Sequence, residues 1–279
     1  MATTLAHISD IHFGQLEPGL TESLADDLHA DPPDVLIVSG DFTQRATARQ
    51  FVDAVAWVKT LPGEKLLVPG NHDVPLWAFW ERFGAPTRRY RRHVTDELLP
   101  TLRVGEVLVA GANSARPISP TWRGFWKDGK LDHAQLDALH TTLTSSDAAV
   151  KIVVTHHPFL PPPGNRPHGI IRHARRALRE LDAAGCDVLL AGHLHTSYAG
   201  DVRTHHATIA RGLLSIQAGT ATSNRRRGQP NAYNRLTVDG PTLQLQVRAH
   251  NGQRFAANQQ RHFTRDAEGN WSEQAAIQS

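Results

Sequence analysis

Apolar residues in the 279-residue chain fall in short consecutive runs, separated by longer stretches with helical periodicity. The runs are Leu5–Ser9, Val35–Ser39, Lys65–Val68, Val107–Ala110, Lys151–Thr155, Asp187–Ala191, Leu213–Gln217, Arg235–Val238 and Leu243–Val247. Successive apolar positions of this kind predict strands covered on both faces. Between them, Phe51, Val55 and Val58 recur at helical spacing behind a Thr47 cap. Leu136, Leu139 and Leu143 follow Asp132, with Gln135 completing a capping box, and Ala174, Leu178 and Leu181 lead to Gly185 as a C-cap. The alternation predicts an α/β fold, and the preferred architecture is a four-layer α/β/β/α sandwich of two mixed β-sheets flanked by helices.

Helical patterning stops after Leu213, so 213–250 is expected to be a β-rich C-terminal part of a single domain spanning 1–266. Residues 77–103 are aromatic and basic and read as a helical insertion near the functional site. Residues 267–279 read as a loosely ordered tail.

Composition narrows the class. With 40% apolar and 20% charged residues, a chain of this length can build a core without staples. The one cysteine, Cys186, excludes an internal disulfide, and its strand-start context predicts a buried structural thiol. The N-terminus has no signal-peptide pattern, and no apolar run is long enough to span a bilayer. A soluble, cytoplasmic protein is expected. The net charge of +3 is too small to imply a nucleic-acid partner.

The 17 histidines carry more information, because several sit in five short motifs that each follow a predicted strand. These are Asp10-Ile11-His12, Gly40-Asp41, Gly70-Asn71-His72-Asp73, Thr155-His156-His157-Pro158 and Gly192-His193-Leu194-His195. In open α/β sheets the carboxyl ends of strands form the ligand-binding rim, so the five loops are expected on one side. Imidazoles and carboxylates together suit zinc, manganese or iron, and one carboxylate can bridge two cations. Buried together without a cation, such groups would carry a severe desolvation penalty.

The ordered set resembles the calcineurin-like metallophosphoesterase family, whose pattern is Asp-x-His, Gly-Asp, Gly-Asn-His-Asp/Glu, His and Gly-His-x-His. All five blocks stand between Asp10 and His195 without a substitution. The resemblance implies two divalent or trivalent metal ions (manganese, iron or zinc). Asp10, His12, Asp41 and His195 would hold one, and Asp41, Asn71, His156 and His193 the other. In the fourth block either histidine fits the pattern. The family's habit of placing the ligand two residues before proline selects His156, leaving His157 on the opposite side or toward substrate. The implied reaction is in-line attack on phosphorus by a metal-bridging hydroxide. His72 would donate to the phosphate or protonate the leaving oxygen, with Asp73 orienting its imidazole or merely capping the following turn.

Within the family, Ile8–Gly14, Val38–Thr43 and Val68–Asp73 resemble bacterial class III cyclic-nucleotide phosphodiesterases and glycerophosphodiesterases. Pro69 and Asp73 depart from the protein serine/threonine phosphatases, and His72 from the lipid A precursor pyrophosphatases. The resemblance therefore implies a phosphodiesterase acting on a small-molecule phosphodiester. The alternatives are a nucleotide-linked or lipid pyrophosphatase, a DNA nuclease and an inactive scaffold. Asn71, His72, His157, Arg166 and His168 are the candidate substrate contacts. Trp122, Phe125 and Trp126 could stack on a base, although a buried role is the commoner one for aromatics. Of the three basic clusters, Arg88–Arg92, Arg172–Arg179 and Arg225–Arg227, the second reads first as a solvated face. Arg225–Arg227 could recruit an anionic substrate or touch acidic lipid headgroups.

Overall fold

The computed structural model describes residues 1–117, 128–161, 169–195, 197–201, 212–226 and 228–274. In chain order the strands are β1 (Thr3–Ile8), β2 (Val35–Val38), β3 (Glu64–Leu67), β4 (Thr101–Val104), β5 (Val107–Gly111), β6 (Val150–Val154) and β7 (Val188–Ala191). They continue as β8 (Tyr198–Asp201), β9 (Leu214–Gln217), β10 (Ala232–Asp239), β11 (Thr242–His250), β12 (Phe255–Arg265) and β13 (Trp271–Gln274). The helices are α1 (Leu20–Ala30), α2 (Ala48–Thr60), α3 (Phe79–Gly84), α4 (Arg88–His93), α5 (His133–Thr144) and α6 (Ala174–Ala183).

The strands form two mixed sheets, ordered β13-β12-β11-β10-β1-β2-β3 and β4-β5-β6-β7-β9-β8. In each, a parallel block (β1-β2-β3 and β5-β6-β7-β9) is extended by antiparallel neighbours. The period-two alternation of strand side chains sorts the core into three slabs. Val35 and Ile37 of β2 pack with Ile152 and Val188 of the other sheet. Their neighbours Leu36 and Val38 pack outward against Leu24 and Leu28 of α1 and Phe51 of α2. On the far side, Val153 and Leu189 meet Leu139 of α5 and Leu178 of α6. Helices, sheet, sheet and helices are thus stacked in that order.

The caps lie where the sequence puts them. The Thr47 side chain accepts from the Gln50 amide at 3.3 Å. Asp132 and Gln135 exchange reciprocal bonds of 2.9 and 3.0 Å. Gly185 closes α6 with a φ of 82°.

Other elements come as corrections. α1 uses the stripe Leu20, Leu24 and Leu28, and β12 alternates mostly polar residues around Phe255 and Phe263, so neither stands out locally. The 213–250 segment is divided between the sheets, β9 joining one and β10 with β11 the other. The expected loose tail is partly wrong: residues 271–274 form β13, paired with β12. Trp271 is buried, its indole N–H donating to Asp187 at 3.3 Å. A long-range pairing partner gives the tail its order. Among the described residues, no helix is long and apolar enough to cross a membrane.

Candidate metal centre

Register brings the motifs together. β1 and β2 pair in parallel from Leu5 with Val35 to Ile8 with Val38, so both strands end at one level. Asp10 and Asp41 therefore leave adjacent strand ends. β6 and β7 end the same way, with Val154 opposite Leu190, and deliver His156 and the 192–195 loop to that rim.

The backbone there is unusual. Asp10, His12, Asp41, His193 and His195 all have positive φ, between 45° and 70°. The left-handed region is sparsely used by residues other than glycine, and each such residue costs of order 1–3 kcal/mol. Among the described residues other than glycine, only Ala46 and His173 share this conformation. Strain concentrated in the motif residues indicates loops shaped for a ligand rather than for stability.

Two glycines permit the close approach of these loops. A β-carbon at Gly70 would collide with the Asp41 carboxylate and backbone nitrogen, and one at Gly192 with the Ser9 hydroxyl.

The polar atoms form two sets that share Asp41. In the first, His12 Nε2 lies 3.6 Å from Asp10 Oδ1 and 3.6 Å from Asp41 Oδ2, while His195 Nε2 lies 3.7 Å from Asp10 Oδ1. In the second, His156 Nε2 lies 3.4 Å from Asp41 Oδ1, 3.1 Å from Asn71 Oδ1 and 3.2 Å from His193 Nδ1. The two oxygens of Asp41 thus face different clusters. Ligand atoms about 2.0–2.2 Å from one ion stand roughly 3–4 Å from each other, which is the spacing found.

A second tier fixes the imidazoles. His156 Nδ1 faces the Ser39 carbonyl at 2.7 Å, His12 Nδ1 faces that of Thr43 at 3.4 Å, and His195 Nδ1 meets the Thr220 hydroxyl. Such outer bonds set the tautomer and leave the other ring nitrogen as a ligand. The carboxylates are oriented likewise, Asp10 Oδ2 accepting from the His193 amide at 2.9 Å and Asp41 Oδ1 from the His72 amide at 2.8 Å.

These residues fit metal ions by a direct test. Asp10 Oδ1, His12 Nε2 and Asp41 Oδ2 are buried without a hydrogen-bond partner, and all three face one point. Unpartnered buried polar atoms are costly and rare, and here a cation is the natural partner. Asp10, His12 and His195 form one candidate ligand group, and Asp10, Asp41 and His156 another.

The electrostatics agree. Burial works against a charged His156, yet Asp41 and then Asp10 outweigh it and lift its pKa to about 9. Asp41 itself is held well below the carboxylate range, its burial opposed mainly by His156 and His72. The cluster favours positive charge at its centre. Burial pushes His193 down to about 3 and His195 to about 4, so both rings are neutral, as ligands must be.

Other expected site residues take different places. His157 is fully buried, with its backbone amide and Nδ1 on the Ser114 hydroxyl and its ring 4.5 Å from that of His193. It braces the second cluster from inside, because the loop after β5 closes over it, and it does not face outward toward a substrate. Its Nε2 nevertheless has no hydrogen-bond partner, and it groups with His156 and His193 as a third candidate ligand set.

Asp73 does not touch the His72 imidazole. It accepts from the amides of Gly70, Phe42 and Thr43 at 2.9, 3.2 and 3.0 Å and from the Thr43 hydroxyl at 3.1 Å. It thereby latches the loop after β3 to the loop after β2. Burial, then the nearby Asp41, raise its pKa to about 6 against these bonds.

His72 has Nδ1 on the Gln44 carbonyl at 2.9 Å, and its Nε2 receives Arg225 Nη1 at 2.8 Å. Arg225 rides on the loop after β9, where Thr222 Oγ1 donates to the Ile11 carbonyl at 2.8 Å. In the sequence only its basic run marked it. Thr220, Ser39 and Ser114 carry no local signal, since each becomes a second-tier partner through strand register alone. Arg166 and His168, with Trp122, Phe125, Trp126 and Arg227, lie outside the described residues. The arginines at 175, 176 and 179 line the solvent face of α6, and Cys186 is buried.

Residues 3–197 match the family described as Calcineurin-like phosphoesterase. No curated protein matches the chain. Solved structures share the fold at low identity. A purple acid phosphatase, PPD1, from yellow lupin (Lupinus luteus) is 12% identical with a TM-score of 0.69, over 96% of this chain and 55% of its own. PhoD is 13% identical with a TM-score of 0.73, over 100% of this chain and 73% of its own. A dimetal phosphatase from Danio rerio is 13% identical with a TM-score of 0.66, over 88% of this chain and 96% of its own.

Proposed function

The chain belongs to the calcineurin-like phosphoesterase family, and from that premise we propose that it hydrolyses a small-molecule phosphodiester, of the cyclic-nucleotide or glycerophosphodiester type. The observation that carries the reading is the Asp41 carboxylate, whose two oxygens face two separate clusters of imidazole and carboxylate ligands.

Asp10, His12, Asp41 and His195 would hold one ion, and Asp41, Asn71, His156 and His193 the other. Two bound ions would supply Lewis acidity toward the phosphoryl oxygens and a water of lowered pKa as nucleophile. The protein's own contribution is positioning. Left-handed loops and outer hydrogen bonds hold the ligands before anything arrives, so little reorganisation is needed during reaction.

Arg225 extends that contribution to the phosphate. A guanidinium beside a site built for cations finds its complement in an anion that bridges both, and its fork suits phosphate oxygens. His72 holds it in place. Burial lowers the pKa of His72, so the ring is neutral, with a lone pair at Nε2 receiving Arg225. Once a phosphate draws the guanidinium away, Nε2 is free to take up a proton from solvent and pass it to the leaving oxygen. The spelling Val68-Pro69-Gly70-Asn71-His72-Asp73 supports the diesterase branch over the protein phosphatases.

The test is turnover of bis-p-nitrophenyl phosphate, cyclic nucleotides, glycerophosphodiesters and p-nitrophenyl phosphate with manganese present. Diester hydrolysis that is lost on chelation and in Asp41→Asn is expected. Monoester-only turnover would reject the diesterase assignment, and full activity in Asp41→Asn would reject the site.

A further inference from the structure

Beside the metal centre the chain exposes an aromatic face that the chemistry does not use. Trp77, Phe79, Trp80 and Phe83 fall within seven residues, on and just before α3, and all are exposed, Trp77 by 71% and Trp80 by 94%. Phe79 and Phe83 are one helical turn apart, with ring centroids 6.4 Å from each other. Scattered exposed apolar residues need no explanation, whereas a contiguous group this large marks an interaction site.

The charge around the face leans positive. Residues 77–97 contain Arg82, Arg88, Arg89, Arg91 and Arg92 against Glu81, Asp96 and Glu97. Glu81, next to Trp80 in α3, draws in Arg88 at 4.0 Å and also binds Arg89, so the basic helix α4 is tied to the aromatic one. Arg88, Arg91 and Arg92 remain exposed, with Arg91 paired to Asp96 at 3.2 Å.

We propose that this aromatic and basic face docks the protein on anionic lipid bilayers. Two features select that partner. A tryptophan that is 94% exposed stands clear of the surface and forms no groove for a peptide. It suits the headgroup layer, where amphipathic rings insert while arginines meet anionic lipid. A symmetric dimer would press the same patch against its copy and bring two arginine clusters together. Trp77 also lines the cleft that contains Asn71 and His72. A docked protein would hold that cleft near the headgroups, a consequence that rests on the phosphoesterase reading; docking itself does not.

Co-sedimentation of the full chain with phosphatidylcholine vesicles, with and without phosphatidylglycerol, tests the proposal. Binding to the anionic vesicles, weakened by salt and accompanied by a blue shift of tryptophan fluorescence, is expected. Trp80→Ser with Phe83→Ser should reduce partitioning about tenfold or more and leave turnover of bis-p-nitrophenyl phosphate unchanged, since both side chains project into solvent. The proposal is overturned if the native protein stays in the supernatant, or if the double variant sediments as well as the native chain. It is overturned equally if sedimentation equilibrium finds a dimer that this double variant dissolves. Vesicle binding is read without turnover, so docking and catalysis fail separately.

Discussion

Asp73→Ala tests whether the buried carboxylate works as a latch or as part of the chemistry. In the native protein it satisfies three backbone amides, those of Gly70, Phe42 and Thr43. The variant leaves all three buried donors unpaired, at about 1–3 kcal/mol each. It also relieves the burial of a charge near Asp41. Lifting a carboxyl from 3.8 to about 6 corresponds to about 3 kcal/mol at neutral pH. The lost bonds outweigh the relief, and a net destabilisation of about 3 kcal/mol is expected. Asn is a poor substitute, because whichever way its amide is turned the NH2 group faces at least one backbone N–H.

The functional effect follows from what the latch holds. It joins the loop carrying Asp41 to the loop carrying Asn71, and loss of an outer-tier partner typically weakens metal binding about 10–100-fold. Urea unfolding of the metal-free protein reads the first quantity, and calorimetric titration with manganese reads the second. Turnover should recover substantially at saturating metal. If Asp73→Ala keeps native stability and metal affinity but abolishes turnover at saturating metal, the residue acts on the reaction and the latch account is wrong.

Three further outcomes are expected. Arg225→Ala should weaken inorganic phosphate binding to the metal-loaded protein by about tenfold or more, the loss of a charge-assisted bond, with Arg225→Lys between; native-like phosphate affinity in the alanine variant would remove Arg225 from the site. His7, buried against Ser39 Oγ at 2.8 Å, has a pKa pushed down by burial to about 3. The unfolded chain therefore binds a proton below about pH 6.5 that the folded chain refuses, so stability falls as pH drops from there toward 3. Between pH 7 and 5 the metal-free native protein should lose about 2 kcal/mol more than His7→Phe in urea titrations, and parallel pH profiles would count against it. Chelation should lower the melting temperature by several degrees, since an ion at a hundredfold excess over its Kd stabilises by about 2.7 kcal/mol; a chelator-insensitive melting curve for metal-loaded protein would contradict binding at these clusters.

Several of the strands that position the site were legible because they are uninterrupted apolar runs buried on both faces, as in Val35–Val38 and Val188–Ala191. The helices were legible where a cap and a stripe coincided, as at Asp132 and Gln135. β12 was not, because it is mostly polar and its order comes from its partners. Neither was β13, whose Trp271 is buried only because β12 and Asp187 come to it.

For the site, the sequence determined which residue types stand at the ends of which strands, since the motifs are local and the strand ends follow from local hydrophobicity. Tertiary structure alone decided their duties. It turned Asp73 from the His72 imidazole to three backbone amides, enclosed His157 behind Ser114, and brought Arg225 across 153 positions to His72. The physical reason is the range of the forces. Periodicity and capping act within a turn or two of chain, whereas a buried donor takes whichever acceptor the packed strands set before it.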